Sequence, residues 1–162
     1  MKTKAYVGYI FAILSGLVMV ASAFLSLNIT YIAKEHTQGE SLFKVITNLS
    51  AADASSKVVA ILYLVALGFA VGLIVYSLVV LFLTLSGKKP RINLLILRIL
   101  SCVAFAMTIA MFIYLGVVLS LKETPYYNFV GIGPAMAVIG SLFLILSLFL
   151  VKKPAMDINN NK

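Results

Sequence analysis

The 162-residue sequence has no tryptophan, one cysteine (Cys102), one histidine (His36) and five acidic residues. Each scarcity closes a class of chemistry. A single cysteine forbids an intramolecular disulfide, and with it the paired-thiol chemistry of membrane oxidoreductases. A lone histidine near Lys34, Glu35 and Glu40 is a poor metal donor set, because zinc takes three or four clustered N, S or O ligands, and it reads as a solvated loop residue. Charged residues make up 11% of the chain, whereas a soluble domain carries about 25%. Within the apolar stretches the only ionisable side chain among Asp, Glu, Lys, Arg and His is Arg98, near an end. Proton relays, ion-coupled transport and voltage sensing rely on charged groups at membrane depth, so the sequence argues against all three. Ser15, Ser77, Ser101 and Thr108 have no base at recognisable spacing and read as helix hydrogen-bonding residues. Cys102 reads as a buried small hydrophobe. No catalytic residues, metal or cofactor are expected.

What is abundant is apolar: 62% of residues are hydrophobic, and the mean hydropathy is +1.10. The excess is concentrated in runs at about 5–27, 58–85, 94–121 and 129–151. Runs of roughly 20 apolar residues are the mark of membrane spans. At 1.5 Å per residue the first and last runs cover about 34 Å and the middle pair about 42 Å, so the middle pair should tilt or protrude. The first run begins with "MKTK" and contains "ASA", yet its apolar part is longer than that of a signal peptide. It is read as a retained span. The predicted fold is all-α: a single membrane domain over residues 1–162, built as an antiparallel four-helix bundle.

Charge placement orients it. Lys2, Lys4, Lys88, Lys89, Arg91, Arg98, Lys152, Lys153 and Lys162 flank one side, with Asp157 as the only acid there. Lys34, Lys44, Lys57 and Lys122 lie on the other, diluted by Glu35, Glu40, Asp53 and Glu123. The positive-inside bias predicts cytoplasmic termini in a plasma (cell) membrane. The connection 86–93 and tail 152–162 would be cytoplasmic, and loops 28–57 and 122–128 outer. Lys88, Lys89, Arg91, Arg98, Lys152 and Lys153 are expected to anchor to anionic lipid headgroups, with Arg98 snorkelling. Split among short flanking segments, these charges make no nucleic-acid-binding face.

The first outer loop is too short to bury a core. Within "ESLFKVITNLSAAD", Leu42, Phe43, Ile46 and Leu49 recur at helical spacing, with Glu40 and Ser41 suited to the helix start. This predicts a short amphipathic helix on the bundle or at the outer membrane surface, with a partner-docking face as the alternative. Asn28 and Asn48 begin N-x-S/T sequons, read as unmodified. Tyr126, Tyr127 and Phe129 suggest an interfacial aromatic belt.

Small residues recur at four-residue spacing. Gly8, Ala12 and Gly16 lie in the first span, Gly68 and Gly72 ("GFAVG") in the second, and Ala106 and Ala110 in the third. In the fourth, "GIGPAMAVIG" and the residue after it place Gly133, Ala137 and Ser141 at that spacing, with Gly140 beside them as a further packing residue. A phosphate-cradling G-x-G follows a strand within a soluble unit. This one opens an apolar span, with Pro134 in the first turn where a missing N–H costs little. The stripes are read as surfaces where helix backbones approach closely, within the bundle or against another protein.

Four spans, cytoplasmic ends, a longer first outer loop and a short second one resemble the claudin-like tetraspan plan. "GESLFKVI" and "GIGPAMAVIGSLFLILSLFL" are similar to a loose pattern in small uncharacterised bacterial four-span proteins. The absence of tryptophan and the "INNNK" tail also suit a bacterial chain. The eukaryotic claudin signature has a tryptophan and a cysteine pair in the first loop. This sequence has neither, so barrier formation is not implied. The expectation is a non-enzymatic membrane accessory or scaffold subunit, working through helix packing and outer-loop contacts. Its partners would be membrane lipids, and further copies of itself or a larger membrane protein. The alternatives are a small oligomeric transporter or channel for neutral or apolar solutes, and a lipid-modifying enzyme using His36 with Glu35 or Glu40.

Overall fold

A computed structural model describes residues 3–32, 35–48, 50, 54–86, 94–121 and 127–151. In chain order the elements are α1 (Thr3–Ser22), β1 (Asn28–Ile32), β2 (Glu35–Gln38), α2 (Leu42–Thr47), α3 (Ala54–Leu85), α4 (Leu94–Ser120), β3 (Tyr127–Val130) and α5 (Ile132–Leu150). Three helices, α3, α4 and α5, are long and apolar enough to cross a membrane, and α1 is a shorter apolar helix over Val7–Ser22. At 1.5 Å per residue α3 measures about 48 Å and α5 about 28 Å, so α3 exceeds a ~30 Å hydrocarbon core while α5 nearly matches it. Helix α1 packs on α3 and α5, and α4 packs on the same pair.

The helices present their bulk outward. Leu14, Leu17, Val75, Phe82, Ile99, Ile113, Phe143 and Phe149 are all exposed, while Ala12, Ala60, Ala66, Ala70, Ala104 and Ala137 are wholly buried. The buried polar residues, among those described, are serines and one threonine, Thr108. Large apolar side chains facing out over such an area are unfavourable in water and ordinary in lipid. There association rests on close packing of small residues and on hydrogen bonds. This makes the chain a membrane protein.

The loops at one end add a feature that the sequence reading did not anticipate. They form a three-stranded sheet in the order β2-β1-β3. Strand β1 pairs antiparallel with β2 from Ile29↔Gln38 to Ile32↔Glu35, and with β3 from Asn28↔Val130 to Tyr31↔Tyr127. Its sequence "NITYI" is rich in β-branched and aromatic residues, which suit strands. The fourth apolar run therefore divides: Phe129 and Val130 belong to the sheet, and the helix starts at Ile132. The first run likewise ends its helix at Ser22. Backbone bonds from Gly131 N–H to the Leu27 carbonyl (2.7 Å) and from Gly133 N–H to the Ser26 carbonyl (3.0 Å) tie this end of α5 to the segment leaving α1.

Candidate interaction surfaces

The small-residue stripes have two fates. Around α1 they are closed. A Cβ on Gly133 would lie 2.9–3.0 Å from the carbonyl oxygens of Ser22, Leu25 and Ser26. On Gly140 it would meet Met19 Cγ at 2.9 Å and the Ser15 carbonyl at 3.2 Å. Gly8 abuts Val151 and Ser147, and Gly16 abuts Ile74. Ala12 and Ala137 are wholly buried. These close approaches join α1 to both α3 and α5.

On α3 and α4 the stripes are open. A Cβ on Gly68 or Gly72 would meet nothing within 4 Å. Both glycines line a groove of about 300 Å³ with Phe69, Leu73, Tyr76, Ile96, Leu97 and Leu100. Ala106 and Ala110 are exposed. Helical phase explains this. They share an outward stripe with Leu95, Ile99, Cys102, Ile113 and Val117, whereas Leu97, Ala104, Thr108 and Met111 turn inward. Among the described residues, nothing covers Gly68 or Gly72, and Ala106 and Ala110 stay exposed. Cys102, expected to be buried, is exposed on that stripe for the same reason.

Hydroxyl groups stitch the interior. Thr108 Oγ1 and Ser141 Oγ share a hydrogen bond of 2.8 Å between α4 and α5, and each hydroxyl also lies within bonding distance of a carbonyl of its own helix. Ser22 Oγ donates to the Met19 carbonyl at 2.6 Å and pairs with the Tyr63 hydroxyl of α3. Tyr9 Oη and Ser77 Oγ are buried without a hydrogen-bond partner.

Arg98 has a more definite place than that of a snorkelling side chain. Its guanidinium donates to the Val151 carbonyl at 3.1 Å and, more loosely, to the Leu148 and Phe149 carbonyls at 3.4 and 3.5 Å. It also stands 4.9 Å over the Phe149 ring. The last carbonyls of a helix lack intrahelical donors and carry partial negative charge, so a cation from α4 completes the end of α5. Lys88, Lys89, Arg91, Lys152 and Lys153 lie outside the described residues.

At the sheet end, Ser41 is the N-cap of α2, accepting from Lys44 N–H at 3.3 Å, and Glu40 bridges Lys44 at 2.8 Å. Burial corrects the predicted contact face. Leu42 is fully buried with Val45, so it fastens α2 to the body and is unavailable to a partner. Ile46 is half-buried and Phe43 exposed, while Leu49 lies outside the described residues. Phe43 stacks at a tilt on Phe24, which the sequence reading assigned only to the first span. Glu35 and His36 fall in β2, and Glu40 is occupied by Lys44. Among the described residues no group of three or more His, Cys, Asp or Glu side chains is disposed to hold a metal.

Comparison with protein-family models, with curated proteins and with solved structures finds no match for this chain.

Proposed function

We propose that the protein is a non-enzymatic accessory or scaffold subunit of the plasma membrane. Its four long helices form an antiparallel bundle with both termini cytoplasmic, and it associates laterally through the Gly68/Gly72 face of α3. The carrying observation is the open space at those two glycines, against the crowding at Gly8, Gly16, Gly133 and Gly140. In lipid, G-x-x-x-G faces lower the cost of backbone approach, and this one is unused within the chain. A second copy or a larger membrane protein would lay a helix along it. Under this reading the sheet and α2 form an outer cap.

The test is selective because a Cβ added at these positions meets no described atom of the monomer within 4 Å. Gly68→Ile and Gly72→Ile should leave helicity and thermal stability intact. They should also abolish the larger species seen by multi-angle light scattering in mild detergent, or the stoichiometric partner recovered from native membranes. An unchanged assembly in both variants would overturn the proposal.

A further inference from the structure

The corner where α1 turns into β1 carries chemistry that lateral association does not use. The outward positions of α1 run Ile10, Leu14, Leu17 and Ala21, spaced at one helical turn. Phe24 continues the stripe, although the helix has ended at Ser22. Phe24 is 60% exposed and Phe43 52%, with ring centroids 5.1 Å apart. The pair is held firmly: Phe43 N–H donates to the Ala23 carbonyl at 3.0 Å, and Leu42 and Val45 anchor the adjoining side of α2. At about 100° per residue, Lys44 projects away from that buried side, and Phe43 lies on the flank between them. The chain therefore presents two rigidly placed aromatic rings beside an exposed Lys44–Glu40 ion pair.

Three observations identify what covers the rings. The stripe they complete is continuous with the outward apolar face of α1. The apolar part of α1, Val7–Ser22, rises about 24 Å, most of a ~30 Å hydrocarbon core, so Phe24, two residues beyond it, falls near the edge. On α2, apolar and charged groups occupy different flanks, as in a helix lying in a membrane interface.

We infer that Phe24 and Phe43 form a wedge seated at the headgroup–acyl boundary of the leaflet at the sheet end, with phospholipid as its partner. The wedge fixes the depth of the helical body and holds α2 against the membrane surface. It rests on the membrane reading above but not on the Gly68/Gly72 interface.

The chain has no tryptophan, so a single introduced one reports without background. Phe43→Trp, Phe24→Trp and Leu14→Trp would each be reconstituted in phosphatidylcholine vesicles brominated at shallow or deep acyl positions, with helicity checked by circular dichroism. Trp at 43 and 24 should emit to the blue of a water-exposed indole and lose roughly half its intensity to shallow bromines, as a group ~5–10 Å into the boundary would. Deep bromines should quench these two less, and quench Trp at 14 most. If Trp at 43 and 24 emits as in water and escapes quenching while Trp at 14 is quenched, the wedge is overturned and the rings belong to a protein partner. If Trp at 14 also escapes, the membrane reading falls with it.

Discussion

Helix α5 brings Gly133 and Gly140 against the backbone of α1, whereas α3 carries Gly68 and Gly72 into a groove with no atom in reach of a Cβ. The two regions share a sequence signature and differ in what stands opposite. A helical glycine costs about 1 kcal/mol relative to alanine. In the α1–α5 seam that cost is offset by contacts that a side chain would block, since carbonyl oxygens sit where a Cβ would go. On α3 no contact among the described residues offsets it. The contrast teaches that small-residue spacing marks the capacity for close approach, while the opposing backbone determines its use.

The comparison can be broken or sharpened by substitution, most strongly in the seam. Gly140→Leu forces a side chain into Met19 and the Ser15 carbonyl, and overpacking of this kind costs typically about 1–3 kcal/mol, sometimes more. A clear fall in thermal midpoint in detergent is expected, and an unchanged midpoint would mean that α1 and α5 are not so close. Arg98→Leu leaves the α5 carbonyls without their charged donor, a loss of about 1.5–3 kcal/mol. Hydrogen exchange should quicken in the last turn of α5, with Arg98→Lys only partly restoring protection. The Thr108–Ser141 bond should contribute less, about 0.6 kcal/mol as is typical of membrane helix pairs, read as the coupling in a Thr108→Val/Ser141→Ala cycle. Smallest of all, Gly68→Ala and Gly72→Ala should cost no thermal stability. A drop comparable to that of Gly140→Leu would erase the distinction between the two regions.

Much of this was readable in advance at particular positions. The long apolar runs gave α3 and α4 nearly to their ends, because helix formation over such lengths is a local matter of hydropathy and backbone hydrogen bonding. Ser41 announced the start of α2, since an N-cap acts within three residues. The four-residue spacing of small residues was also visible, though not which of those stripes would be covered. Strand β3 was hidden, because Phe129 and Val130 are as apolar as the helix that follows them. Only pairing with β1, about a hundred residues earlier in the chain, makes them a strand.

Leu42 and Phe43 show the same limit on a smaller scale. Both sit on the apolar side of one short helix, yet one is wholly buried and the other half-exposed beside Phe24. Helical phase separates neighbouring residues by about 100°, but the direction of the body sets which of the two turns inward. Arg98 likewise looked like a cation near a helix end, and its particular use required α5 to finish beside it.

The sequence by itself determined that apolar helices of membrane length would form, which residues on them are small, and how unevenly the flanking charge is distributed. Each of these follows from composition within one or two turns of chain. The tertiary structure alone decided which glycines are covered, which carbonyls Arg98 completes, how two distant loops make one sheet, and that Phe24 meets Phe43. Those depend on distances between segments far apart in sequence, and in an apolar solvent no general hydrophobic drive selects among them. The fit of specific surfaces does.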